Sequence, residues 1–117
     1  MEFDVDLYET KDKKRPVEEF ILSLDNKMQA KVFGMIRLLE EKGTALREPY
    51  SKPLDDGIFE LRIKQSSNIT RVLYFFYIGG KIILTNGFVK KTQKTPTEEI
   101  KLAKKYRADF KERRGKS

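Results

Sequence analysis

Between Gly57 and Val89 the chain holds three consecutive stretches that alternate apolar with polar residues and are separated only by short turns. Phe59, Leu61 and Ile63 alternate with Glu60, Arg62 and Lys64 over 57–64. A second stretch runs from Asn68 to Ile78, and Gly79-Gly80 joins it to a third from Lys81 to about Val89. A period of two sends neighbouring side chains to opposite faces of a sheet, and a diglycine between two such stretches is a hairpin signal. The segment therefore predicts an antiparallel meander. Symmetric turns fix its register. A turn at Gly79-Gly80 sets Phe75 opposite Leu84, Leu73 opposite Asn86 and Arg71 opposite Phe88. A turn centred on Ser66-Ser67 sets Arg62 opposite Arg71 and Glu60 opposite Leu73.

The flanking segments supply what such a sheet needs to bury one face. Phe3, Val5 and Leu7 alternate with Asp4, Asp6 and Tyr8, predicting a first strand near 2–9. Pro16 stands at a first helical position ahead of Glu18 and Glu19, with Val17, Phe20, Ile21 and Leu24 on one stripe. Asp25 is placed to cap a second helix, whose Met28, Val32, Met35, Ile36 and Leu39 form a face that ends at Gly43. Residues 44–56, with Pro49 and Pro53, read as a loop. Thr95 as cap, Pro96 as first helical residue and Glu98 as capping-box acid open a third helix through Ile100, Ala103, Tyr106 and Phe110. The order β-α-α-β-β-β-α predicts an α+β fold: an N-terminal strand, a helical hairpin packed on a small antiparallel sheet, and a C-terminal helix. The face under the hairpin is expected to hold Phe59, Leu61, Ile63, Val72, Tyr74, Phe76, Ile83 and Val89. At 117 residues the chain is one domain, 1–117, with about 111–117 expected to fray as a basic tail.

Composition narrows the chemistry. There is no cysteine and no histidine, which removes thiolate nucleophiles, disulfides, imidazole bases and the usual zinc ligands; no metal and no cofactor is expected. No apolar run approaches a membrane span, and the start Met-Glu-Phe-Asp lacks the basic region of a secretory signal, so a cytoplasmic location is expected. The net charge of +7 is uneven: residues 1–42 sum to −2, whereas 43–117 sum to +9. A basic C-terminal two-thirds of this kind suits a polyanion, because neutralised phosphates release counterions.

The row Arg62, Arg71, Phe88 carries the most chemical information. Directly opposed arginines repel unless an anion lies between them. Glu60 in the same face is one such anion and would make the pair structural. A bound phosphate is the other, since guanidinium forks match phosphate oxygens and Phe88 offers a ring for a base to stack on. Lys64, Asn86, Lys90, Lys91 and Lys94 surround the row or follow it closely.

The strings Ser51-Lys52-Pro53-Leu54, Gly57-Ile58-Phe59-Glu60-Leu61-Arg62, Arg71-Val72-Leu73-Tyr74-Phe75 and the run from Ile83 to Pro96, above all 87–96, resemble the HigB-like, phage-related branch of the RelE/ParE toxin superfamily. The resemblance spans essentially the whole chain. It implies the toxin of a bacterial type II toxin–antitoxin module, held silent by an antitoxin that is typically a helix-turn-helix DNA-binding protein. RelE-like members cleave mRNA on the ribosome, whereas ParE-like members poison DNA gyrase. For this chain the resemblance implies a metal-independent endoribonuclease with Arg62, Arg71, Lys90 and Lys94 as catalytic residues. Phe88, Lys91, Lys64 and Asn86 would bind RNA, and Glu60 would be a rival base or a structural residue. A non-enzymatic gyrase inhibitor or a plain RNA-binding module is the alternative. Many relatives carry histidine where this chain has Asn86, so an imidazole mechanism is closed to it.

Overall fold

The computed structural model describes residues 2–65, 68–90 and 94–115. Its strands are β1 (Asp4–Leu7), β2 (Ser51–Asp55), β3 (Ile58–Gln65), β4 (Asn68–Tyr77) and β5 (Lys81–Lys90); its helices are α1 (Pro16–Leu22), α2 (Asn26–Lys42) and α3 (Thr97–Gly115). The strands form one sheet in the order β1-β5-β4-β3-β2. β1 lies parallel to β5 and every other pair is antiparallel. The expected α+β architecture is the one observed. Among the described residues no helix is long and apolar enough to cross a membrane.

The helical hairpin forms for the reasons its sequence states. Pro16 opens α1, and Asp25 caps α2 by accepting from the Met28 N–H at 2.8 Å. Gly43 closes α2 at φ +49°, a conformation favouring glycine, and a Cβ there would run into the Phe3 ring. Val17, Ile21, Met28, Val32 and Leu39 pack on Leu61, Ile63, Val72, Tyr74, Ile82 and Leu84. Each fully buried aliphatic side chain in that layer contributes about 1.5–3 kcal/mol. α3 covers part of the other face, where Ala103 and Phe110 meet Tyr8, Ile58, Leu73, Phe75 and Ile83. The sheet is therefore sandwiched between two helical layers.

Three expectations are corrected. The first concerns the hairpin. Tyr77 pairs with Lys81 around a three-residue turn, Ile78-Gly79-Gly80, so Phe75 faces Ile83 rather than Leu84, and Leu84 faces Tyr74. A bulge at Thr85 then adds one residue to β5 and restores Leu73–Asn86 and Arg71–Phe88. The shift rotates Ile83 away from the helical hairpin and into the core under α3, with Ile82 and Leu84 taking the hairpin side; Val89 is largely exposed.

The second correction is β2, which the prolines disguised. It is an edge strand, and an edge tolerates the missing N–H of Pro53, which sits exposed beside a bulge.

The third is the start of α3. Thr97 is its first residue, and the Pro96 carbonyl accepts from Glu99 and Ile100, so Pro96 occupies the cap position. Thr95 turns inward instead, and Glu99 rather than Glu98 is the acid three residues beyond the cap. The helix runs to Gly115. The Ser66-Ser67 turn lies outside the described residues.

Candidate functional site

Three cross-strand rows share the sheet face beyond the end of α3. Lys64, Ile69 and Lys90 form the outermost row, then Arg62, Arg71 and Phe88, then Glu60, Leu73 and Asn86. The Arg62–Arg71 opposition is real, and the anion between the two arginines is Glu60. Its Oε2 lies 3.3 Å from Arg62 Nε and its Oε1 lies 3.6 Å from Arg71 Nη1. Thr95 completes the cluster: its hydroxyl donates to Glu60 Oε1 and accepts from Arg71 Nη1 at 3.4 Å. Arg71 and Glu60 are 0% and 1% exposed, whereas the Arg62 side chain is 15% exposed. A buried guanidinium opposite a buried carboxylate is stable only when both remain, since either alone is a charge without compensation.

The two arginines therefore occupy different environments. Arg71 is an interior residue that holds Glu60. Arg62, steered by the same carboxylate, is the one that reaches the surface. Asn86 is also interior: its Nδ2 donates to Glu99 Oε1 at 2.9 Å and to the Glu99 carbonyl, and its Oδ1 accepts from Thr85 at 2.7 Å. It pins β5 to the first turn of α3.

Phe88 is half-buried against the α3-side core, while Lys64, Lys90 and Lys94 are exposed. Lys91 lies outside the described residues. The face thus presents Arg62, Lys64 and Lys90 in register rows beside Phe88, above a buried charge cluster, and Lys94 is exposed a few residues beyond Lys90. It can hold an anion at its rim and exclude water beneath.

Sequence reasoning missed Thr95 and Glu99, because a hydroxyl before Pro96 and an acid in the first helical turn both read as helix capping. It also missed a clamp between Tyr8 and α3. The Tyr8 hydroxyl donates to Asp109 Oδ2 at 2.5 Å, Arg113 Nε donates to the same oxygen at 3.0 Å, and Tyr8 stacks on Tyr106. Burial, then the neighbouring carboxylate, pushes the Tyr8 phenol up to about 12. The phenol's hydrogen bond, with help from Arg113, holds the Asp109 carboxyl below its ordinary value.

A model of the family Phage derived protein Gp49-like (DUF891) matches residues 19–108, which run from within α1 through the basic face and into α3. The chain belongs to the Gp49-like family. That family is related to the RelE-type toxin superfamily, and membership is consistent with a toxin-like protein. No curated protein matches the chain significantly.

Proposed function

We propose that this Gp49-like chain is the toxin of a bacterial type II toxin–antitoxin module and acts as a HigB-like, metal-independent endoribonuclease on mRNA at the ribosome. The observation that carries the reading is the cationic face itself: Arg62, Lys64 and Lys90 in the same and adjoining register rows as Phe88. Cations beside an aromatic ring on a sheet suit single-stranded RNA, whose unpaired bases can stack on the ring while the cations hold its phosphates.

RNA can be cut by its own ribose. The 2′-oxygen attacks the adjacent phosphorus, the bond to the 5′-oxygen breaks, and the products are a 2′,3′-cyclic phosphate and a 5′-hydroxyl. One proton leaves the 2′-hydroxyl and one reaches the departing 5′-oxygen. Arg62 holds the phosphate and opposes the charge that grows on it in the transition state. Lys90 and Lys94 move the protons, Phe88 stacks a base, and Lys64 with Lys91 holds the flanking phosphates. Burial of Glu60 between two guanidinium groups favours a bracing role over that of base, because a base must reach the 2′-hydroxyl. Arg71 acts through Glu60. A cognate antitoxin, a helix-turn-helix DNA-binding protein in this reading, keeps the activity silent.

Primer-extension mapping of transcripts shortly after induction tests the proposal. Discrete cuts inside coding regions are the expected result. Intact transcripts together with arrested DNA synthesis would replace it with the gyrase-inhibitor reading.

A further inference from the structure

The edge of β3 is only partly covered. β2 pairs with it from Ile58 to Leu61, and one more bond, from Arg62 N–H to the Tyr50 carbonyl, follows at 2.9 Å. In an antiparallel strand the same side is served by every second residue, so Lys64 is the next whose N–H and C=O turn outward. Among the described residues no strand continues β2 alongside it.

A cavity of about 550 Å³ lies there, and its lining belongs to both faces of the sheet. Met35 and Gly34 of α2 with Ile63 border it on the hairpin side, whereas Lys64 and Ile69 belong to the opposite face. A space that borders both faces of one strand end, beyond the point where Pro49 and Tyr50 line it, leaves room for a neighbouring strand.

Gly34 supports this reading. It sits in the middle of α2, where glycine costs about 1 kcal/mol relative to alanine. A Cβ built there meets nothing within 4 Å, so no packing inside the chain explains the glycine. Its bare backbone instead widens the wall of the cavity. Among the described residues, the charged ones lining the cavity are Lys31, Arg62 and Lys64, and none is acidic.

We infer that the open edge of β3 is a docking site for an extended, acidic segment of a protein partner, which adds a strand beyond β2 and sets alternate aliphatic side chains against Met35 and Ile63. Main-chain bonds to Lys64 give the partner its register, and its carboxylates face the three cations. A nucleic acid would also meet the cations, but its backbone cannot complete a strand edge. The inference deepens the proposed function by locating a partner surface, and it rests on that reading only for the expectation that a protein partner exists.

The probe is a peptide of roughly ten residues alternating valine with glutamate, labelled for fluorescence anisotropy, with its valine–lysine counterpart and an oligouridylate of similar length alongside. The full chain should bind the acidic peptide and not the basic one, with slowed exchange of the Lys64 amide. Gly34→Gln, which fills the cavity while raising helix propensity, and Lys64→Glu should each weaken binding at least about tenfold. Equal binding of both peptides, or no binding of the acidic one by a chain that melts normally, would overturn the inference. So would an oligouridylate whose binding alone responds to Gly34→Gln, which would assign the edge to RNA. Translation arrest on induction is read separately: arrest without peptide binding removes this inference alone, and peptide binding without arrest removes the toxin reading alone.

Discussion

At the scale of single residues, the Glu60 cluster separates two arginines that sit side by side in the sheet. Arg71→Ala leaves the buried Glu60 carboxylate short of a partner and should cost about 3–5 kcal/mol, read as a large fall in melting temperature. Arg62→Ala removes a partly solvated partner, while Arg71 and Thr95 still hold Glu60, and should cost no more than about 2 kcal/mol. Like-charge repulsion alone would make the loss of either arginine neutral or stabilising; the carboxylate between them reverses the sign for Arg71. Calorimetry of the two variants checks the contrast, and equal losses would contradict it. A paired replacement, Glu60→Leu with Arg71→Met, should recover much of the stability, because the cluster fills space that apolar groups also fill.

At the scale of elements, the sheet was legible wherever alternation and turns agreed. Arg62–Arg71 and Arg71–Phe88 follow from two turn positions, yet the second pairing is reached by two compensating departures. The Gly79-Gly80 turn uses three residues, and the Thr85 bulge returns the lost one. A bulge leaves no mark in a residue pattern, so Ile83 was set on the wrong face. β2 was hidden because proline argues against a strand unless the strand is known to be an edge, which is a property of the whole sheet. Arg62, Phe88 and the lysines could be read from spacing, whereas the inward turn of Thr95 depends on where β5 delivers the chain.

Gly87 shows the same dependence on packing. A Cβ there would stand 2.4 Å from the Phe20 ring and 3.2 Å from the Arg71 carbonyl. Gly87→Ala should therefore cost about 1–3 kcal/mol by forcing α1 off β5, and adding Phe20→Leu should return part of it in urea melts.

At the scale of the whole molecule, the clamp joining Tyr8 to α3 ties the first strand's end to the last helix, and it titrates. The Asp109 carboxyl is held below its ordinary value in the folded chain, so its contribution is fully present above the ordinary carboxylate range. It is lost as pH falls through the lowered folded value. Asp109→Asn should lower the melting temperature by a constant amount at neutral pH, and the gap from the unaltered chain should close in the acid range. A gap that persists at the lowest pH at which both fold would contradict the clamp's ionic character.

Under the proposed function, the charge of residues 43–117 would also set how RNA is held. With Arg62, Lys64 and Lys90 at the rim, affinity for an oligoribonucleotide should fall with salt, and removing any one of these cations should flatten the log–log slope by about 0.7. Under the proposed function, single-turnover cleavage should carry no imidazole ionisation, because the chain has no histidine.

The central claim is that Arg62, braced from below by Glu60 and Arg71, is the side chain that meets the phosphate. The most direct test is the rate of protein synthesis in cells inducing the unaltered chain or Arg62→Ala, at matched levels of folded protein. The account predicts arrest by the former and near-normal synthesis with the latter. Arrest by both to the same extent would contradict it.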